Sequence, residues 1–278
     1  MRNYLITGGT DGIGRAVALD ALAAGHRVVV VGGTAAKGEA FLRAAGDAAD
    51  RAAFVRADLR LIAENRRVLA EALERFDRLD RLVLCAQRYR TRLTRTAEGL
   101  EENFALSCLS RHVLGAGLAP LLREAADPLV ASVCGTGTAA GRLHWDDLQF
   151  TRGGRGLRAL LQAARATDLV GVDFAANHPD IPYVLFNPDM VRTNLQRDLD
   201  QPWRAVAALA LALRGKPVAE GIVPLLELLE RPPSEPLSAY RGRRRIPVTE
   251  GRLSRFYDPA DAERLREQAA GLLAANPA

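Results

Sequence analysis

The sequence predicts an α/β fold, a single domain built on a doubly wound parallel sheet of about seven strands with helices on both faces. Three observations predict it. Short apolar runs of strand length alternate with helical patterns along most of the chain, and β-α-β-α order requires parallel strands covered on both faces. A glycine-rich loop stands where the first strand turns into the first helix. The chain has 278 residues, 48% of them hydrophobic and 26% charged, which is the make-up of a globule able to bury one sizeable core.

The elements follow in order. Residues 4–7 make the first strand and residues 14–24 the first helix; residues 27–31 and 37–45 repeat the pair. Residues 53–56 form a third strand, 64–76 a helix, 81–84 a fourth strand and 98–123 a long helix. Residues 129–133 are the fifth strand, 156–177 a helix and 182–186 the sixth strand. Apolar helices at 204–213 and 219–229 lead to a break at Pro232, Pro233 and Pro236, then a short strand at 245–248 and a terminal helix at 259–274. No internal repeat interrupts this pattern. Residues 1–278 therefore read as one domain, with residues 231–278 as a C-terminal extension.

The longest uncharged apolar run, residues 205–213 between Arg204 and Arg214, is too short to cross a bilayer and is expected to be a buried helix segment. Met1 leads almost directly into the first strand and its glycine turn without a signal-peptide pattern, so the expected address is cytoplasmic, with no membrane partner. Cys85, Cys108 and Cys134 are odd in number and lack metal-ligand spacing, which suits reduced thiols and no metal site. The net charge of +5 is spread among acids, and only residues 241–245 form a tight basic cluster, so no nucleic-acid partner is expected. Only Lys37 and Lys216 are lysines among 38 basic residues, a bias that fits a GC-rich, actinobacterial genome.

The loop Thr7-Gly8-Gly9-Thr10-Asp11-Gly12-Ile13-Gly14 is the feature with the most chemistry in it. Its glycines allow a tight turn and let a helix N-terminus approach a pyrophosphate, whose charge the helix dipole and free N–H groups favour. Strand, loop and helix stand in the order of a Rossmann-type dinucleotide fold. The second strand runs into Gly32-Gly33-Thr34 with no carboxylate for a ribose 2′-hydroxyl, which admits a 2′-phosphate with Lys37 and Arg15 as nearby cations. NADP(H) is thus expected ahead of NAD(H), with no cofactor as the remaining alternative.

With Thr7 to Gly14 followed by Asp58-Leu59, the chain resembles the short-chain dehydrogenase/reductase family over nearly its whole length. Glu98-Gly99-Leu100-Glu101 and Trp145-Asp146-Asp147-Leu148 are similar to its retinol-dehydrogenase and protochlorophyllide-reductase-like branch. The resemblance implies that Asp58 contacts the adenine, that Cys85-Ala86-Gln87 passes the nicotinamide ribose, and that Pro188 and Thr193 reach the nicotinamide amide. It also implies a substrate lid over residues 193–217, whose Leu, Ala and Val content suits a small, largely apolar substrate, and a dimer or tetramer. Two departures stand out. Gln87 and Asp189 replace a small residue and a glycine, and the family's catalytic set is gone: Ser107 falls at its asparagine, Gly135 at its serine, Leu160 at its tyrosine and Ala164 at its lysine.

A proton carrier must therefore come from elsewhere. His144, Tyr89, Cys134 and Thr136 are the candidates near the carboxyl ends of the strands, where open α/β sheets bind ligands. An imidazole titrates near neutrality. The expected function is a tailoring enzyme of small-molecule metabolism with atypical oxidoreductase chemistry. Its alternatives are a non-redox catalyst of cyclisation or dehydration and a cofactor-binding pseudoenzyme.

Overall fold

A computed structural model of the protein describes residues 1–138, 141–193 and 198–276. One eight-stranded sheet runs through it in the order β3-β2-β1-β4-β5-β6-β7-β8. The first six strands are β1 (Asn3–Thr7), β2 (Arg27–Gly32), β3 (Ala52–Arg56), β4 (Arg81–Leu84), β5 (Leu129–Val133) and β6 (Tyr183–Asn187). All neighbours are parallel as far as β7 (Leu237–Arg241); only the edge strand β8 (Arg244–Ile246) is antiparallel.

Two apolar layers flank the sheet. On one face, Leu5, Val29 and Leu82 pack with α3 (Ile62–Arg75), α5 (Ser110–Arg123), α6 (Gly156–Asn177) and α10 (Pro259–Ala274). On the other, Ile6, Val28 and Val30 pack with α1 (Gly12–Ala23), α2 (Ala35–Ala45) and α9 (Val223–Glu230). Strands buried on both faces explain why their sequences read as unbroken apolar runs. The buried Arg81 guanidinium ties the start of β4 to its surroundings, donating to Leu229 O at 2.6 Å, Asp80 O at 2.9 Å and Asp127 Oδ2 at 2.9 Å.

Three expectations need correction. The sheet has eight strands, because residues 237–241 follow the proline break as a strand with no apolar alternation to mark it. The long helix starts at α4 (Glu102–Phe104) rather than residue 98, since the Glu101 carboxylate caps it by accepting from Asn103 and Phe104 N–H; a π-helical turn at Ala105–Leu109 then joins α4 to α5. This stretch, Glu102–Arg123, is long and apolar enough to cross a membrane but is largely buried, as a core helix is. The apolar run of 205–213 lies in α7 (Trp203–Arg214), which has no buried residue. Both faces of the sheet are already covered by other helices, and an apolar composition does not reveal which helix is left outside.

Residues 241–245 form the β7–β8 hairpin. Arg241 pairs with Asp189, Arg243 with Glu227 and Arg245 with Glu235 at 2.7 Å.

Candidate dinucleotide-binding site

A cleft of about 550 Å³ opens at the carboxyl ends of the strands around β1 and β4, where the strand order reverses direction. The helix α1 points its N-terminus into it. At the turn, Gly8 has φ 65°, and a Cβ there would lie 2.8 Å from Ala86 N. Gly14 packs equally close, since a Cβ would stand 2.5 Å from Gly8 O. Glycine is needed at both positions to bring helix, loop and strand end together. Thr7, itself buried, ties β1 to the next strand: Cys85 N donates to Thr7 O at 3.1 Å and Ala86 N to Thr7 Oγ1 at 3.2 Å. Asp11 caps α1 by accepting from Gly12 N at 2.8 Å, and its other oxygen pairs with Lys37 Nζ at 2.6 Å.

Of the residues expected to hold the dinucleotide, Gly8, Thr10, Asp11, Gly12, Ile13, Gly14, Gly33, Thr34, Lys37, Asp58, Leu59, Cys85, Ala86, Gln87 and Thr193 all line the cleft. Thr7 stands behind the wall, and Pro188 is not part of the lining. A Cβ at Gly12 would meet Thr193 Cγ2 at 3.4 Å, so residue 193 closes over the glycine loop. Residues 194–197 of the expected lid lie outside the described residues. These glycine cradles, a helix N-terminus facing the hollow and the lack of an acid at the end of β2 fit a dinucleotide.

Sequence reasoning missed the charge network beside Asp58. Arg60 grips Asp58 in two places, Nη2 to Oδ2 at 2.6 Å and Nε to Oδ1 at 2.8 Å, and also pairs with Glu102. That hydrogen bonding holds the Asp58 carboxyl below its usual range. Glu102 is buried and further meets Thr94 Oγ1 at 2.5 Å, Arg88 at 3.3 Å and Arg90 at 3.5 Å. Burial alone would raise its pKa, but the Thr94 hydroxyl and these guanidiniums lower it on balance. Arg88 in turn holds Asp198 at 2.7 Å across the cleft mouth.

The inner end differs from the expectations. Arg111 of α5 lies buried behind the wall between β4 and β5, donating to Ser132 Oγ, to Val133 O at 2.9 Å and to Ala86 O at 3.4 Å. Its Nε is buried and unpartnered. Cys134 is buried 3.8 Å from Asp168 Oδ1, and burial pushes its thiol pKa up, against nucleophilic use. Thr136 is buried too, and its Oγ1 shares a 2.7 Å hydrogen bond with Tyr257 OH, delivered by the C-terminal extension. Arg165 pairs with Asp168 on α6 and faces the Phe256 ring at 4.6 Å; burial lowers its pKa to about 10.

His144 stands apart from the cleft lining, its ring edge-on to Phe150 at 5.1 Å and its backbone N–H donating to Gln162 Oε1 at 2.9 Å. Tyr89 is half-buried next to Arg88 and, like His144, is not itself part of the cleft lining; burial raises its pKa, with the Arg111 charge opposing. Leu160 and Ala164 lie on α6 half-buried and untitratable. Arg111 and Arg165 carried one sequence signal, a charge inside an otherwise apolar helix pattern. A separate hollow of about 470 Å³ at the opposite ends of the strands, between α1 and α9, contains none of these groups.

Comparison with known proteins agrees with this geometry. A family model described as short chain dehydrogenase matches residues 2–121. The chain is 34% identical over 206 residues to the protein called "Putative daunorubicin C-13 ketoreductase DnrU" of Streptomyces sp. (strain C5), covering 70% of this chain and 68% of that one. It is 28% identical over 207 residues to an uncharacterised oxidoreductase of Saccharomyces cerevisiae, covering 71% of this chain but only 63% of the yeast protein. Among solved structures, a short-chain dehydrogenase from Sphingobium yanoikuyae in complex with NADPH superposes with a TM-score of 0.62 at 19% identity, over 97% of this chain and 95% of that one.

Proposed function

The chain belongs to the short-chain dehydrogenase/reductase family, and on that premise we propose that it is an NADP(H)-preferring oxidoreductase that reduces the ketone of a small, largely apolar metabolite. The observation that carries the proposal is the cleft, in which the glycine loop, Asp58 and Thr193 meet around the N-terminus of α1. The name of the Streptomyces relative supports the ketone. Bound in the cleft, the cofactor supplies hydride to the carbonyl carbon.

The chain's own residues do the rest. The free N–H groups of α1 hold the pyrophosphate, and Lys37 stands at the rim as the cation for a 2′-phosphate. Asp58, locked by Arg60, faces the adenine. Tyr89 is our choice of proton donor, because it directly follows the lining residues Gln87 and Arg88, whereas Cys134 and Thr136 are buried and His144 packs on Phe150 with no lining residue beside it in the chain. Its hydroxyl stays protonated at neutral pH and gives its proton to the carbonyl oxygen as hydride arrives at carbon; water then reprotonates the phenolate. The permanent charge of Arg111 favours the negative charge that develops at that end of the site.

The test compares Tyr89→Phe with His144→Ala, using NADPH and a ketone panel. Loss of the acid lowers kcat by about 100-fold or more in Tyr89→Phe while NADPH affinity holds. An equal loss in His144→Ala alone would move the role to the imidazole. The replacement of the tyrosine–lysine pair by Leu160 and Ala164 favours a second reading, a cofactor-binding protein without turnover. NADPH binding with no turnover of any ketone by the unmodified protein would select it.

A further inference from the structure

The helix α7 is an anomaly in an otherwise well-covered fold. Between Arg204 and Arg214 it has no polar side chain, yet none of its twelve residues is buried. Trp203 is 45% exposed, Val206 57%, Leu209 63% and Leu213 74%. A helix that is apolar all round belongs under a cover, and a contiguous exposed apolar face marks an interaction surface.

We propose that α7 is a peripheral membrane-docking element that lays its outer face into an anionic lipid surface. Charge decides among the possible covers. Arg204 and Arg214 bracket the apolar stripe and Lys216 follows it; among the described residues none of the three has a carboxylate within ion-pair distance. The acids of the same segment are already engaged, Asp198 by Arg88 at 2.7 Å and Asp200 by Arg92 at 3.5 Å. What faces outward is therefore apolar and cationic, the pattern of a helix lying in a lipid interface. At about 18 Å long it cannot span a bilayer and must lie in its plane.

A second copy of the chain is a poorer cover. Pairing this helix with itself, in either direction, sets arginine against arginine at both ends, and like charges across an interface cost affinity. A small substrate held beneath the helix would touch Ala207, Ala210 and Leu211, the half-buried side, and leave Val206, Leu209 and Leu213 bare.

The full-length Trp145→Phe variant leaves Trp203 as the sole tryptophan. It is mixed with phosphatidylcholine vesicles with and without phosphatidylglycerol, and Trp203 emission and co-sedimentation are read. Docking predicts a blue shift and pelleting with the anionic vesicles only. Leu209→Glu then weakens binding about tenfold or more, as expected for losing a buried leucine and setting a negative charge against the anionic surface. Arg204→Glu and Arg214→Glu each weaken it about fivefold, and this pair of surface variants carries the test if Leu209→Glu misfolds. No vesicle binding, equal binding to both compositions, or a dimer in sedimentation equilibrium that Leu209→Glu disperses would each overturn the proposal.

Discussion

At Gly8 two constraints coincide. Its φ of 65° is unfavourable for any residue with a Cβ, and that Cβ would also press on Ala86 N at 2.8 Å. Gly12 shares only the first constraint, because its φ is 52° but a Cβ would find Thr193 Cγ2 at an ordinary 3.4 Å. Strain of about 2 kcal/mol at Gly8 corresponds to roughly a 30-fold loss if it falls on the binding-competent loop. Gly8→Ala is therefore expected to raise the Kd for NADPH by about that factor, and Gly12→Ala by distinctly less, as fluorescence titration of both variants can check. Residues such as these are readable from sequence because each answers a local need of the turn. Arg111 is not, because its partners Ser132, Val133 and Ala86 lie 21 to 25 positions away and only the folded sheet brings them together.

At the scale of elements, Glu102 is the hub that fastens the loops after β3 and β4 to the start of the long helix. Its depressed pKa means that it contributes stability at pH values above its unfolded value near 4.5, and that this contribution disappears as pH falls through the still lower folded value. Glu102→Gln is expected to cost about 2 kcal/mol at pH 7, discounted from the cost of breaking a fully buried pair because its arginines are partly exposed. The difference from the unmodified protein should shrink as pH falls below about 4.5, where the native carboxylate is itself being protonated; denaturant melts at pH 7 and below pH 4 measure it. The C-terminal extension is fastened in a similar way. Tyr257→Phe leaves the buried Thr136 hydroxyl without its partner, at a cost of about 1–2 kcal/mol. A Tm about 3–6 °C lower by calorimetry would agree, and an unchanged Tm would mean that the contact is immaterial.

The elements the sequence announced best were those whose burial is two-sided, β1, β2, β4, β5 and β6, since there the apolar run and the strand coincide. Residues 237–241 were missed because Leu237-Ser238-Ala239-Tyr240-Arg241 is short, mixed and preceded by prolines. The exposed position of α7 was missed for a different reason. Its composition reports a liking for an apolar surround, and only the arrangement of the other helices decides whether the protein itself provides one.

For the molecule as a whole, sheet order is what turns separate motifs into a site. Because β1 lies between β2 and β4, the chain leaves the sheet in opposite directions on either side of it and opens the crevice where α1 points inward. The glycine loop, Gly33 and Thr34, Asp58, and the Cys85-Ala86-Gln87 segment come from four successive strand ends, so their convergence in one cleft is a test of topology more than of any motif. Leu160 and Ala164 stand on α6 outside this convergence. Cofactor binding can therefore be tested apart from turnover, and the proposed function needs it first. Titration of the purified protein with NADPH and NADH, followed by nicotinamide fluorescence and by Tm, measures it directly. Saturable binding with NADPH the tighter, and about 2.7 kcal/mol of stabilisation at 100 times its Kd, is the expected result; no saturable binding of either nucleotide, with Tm unmoved, would contradict it.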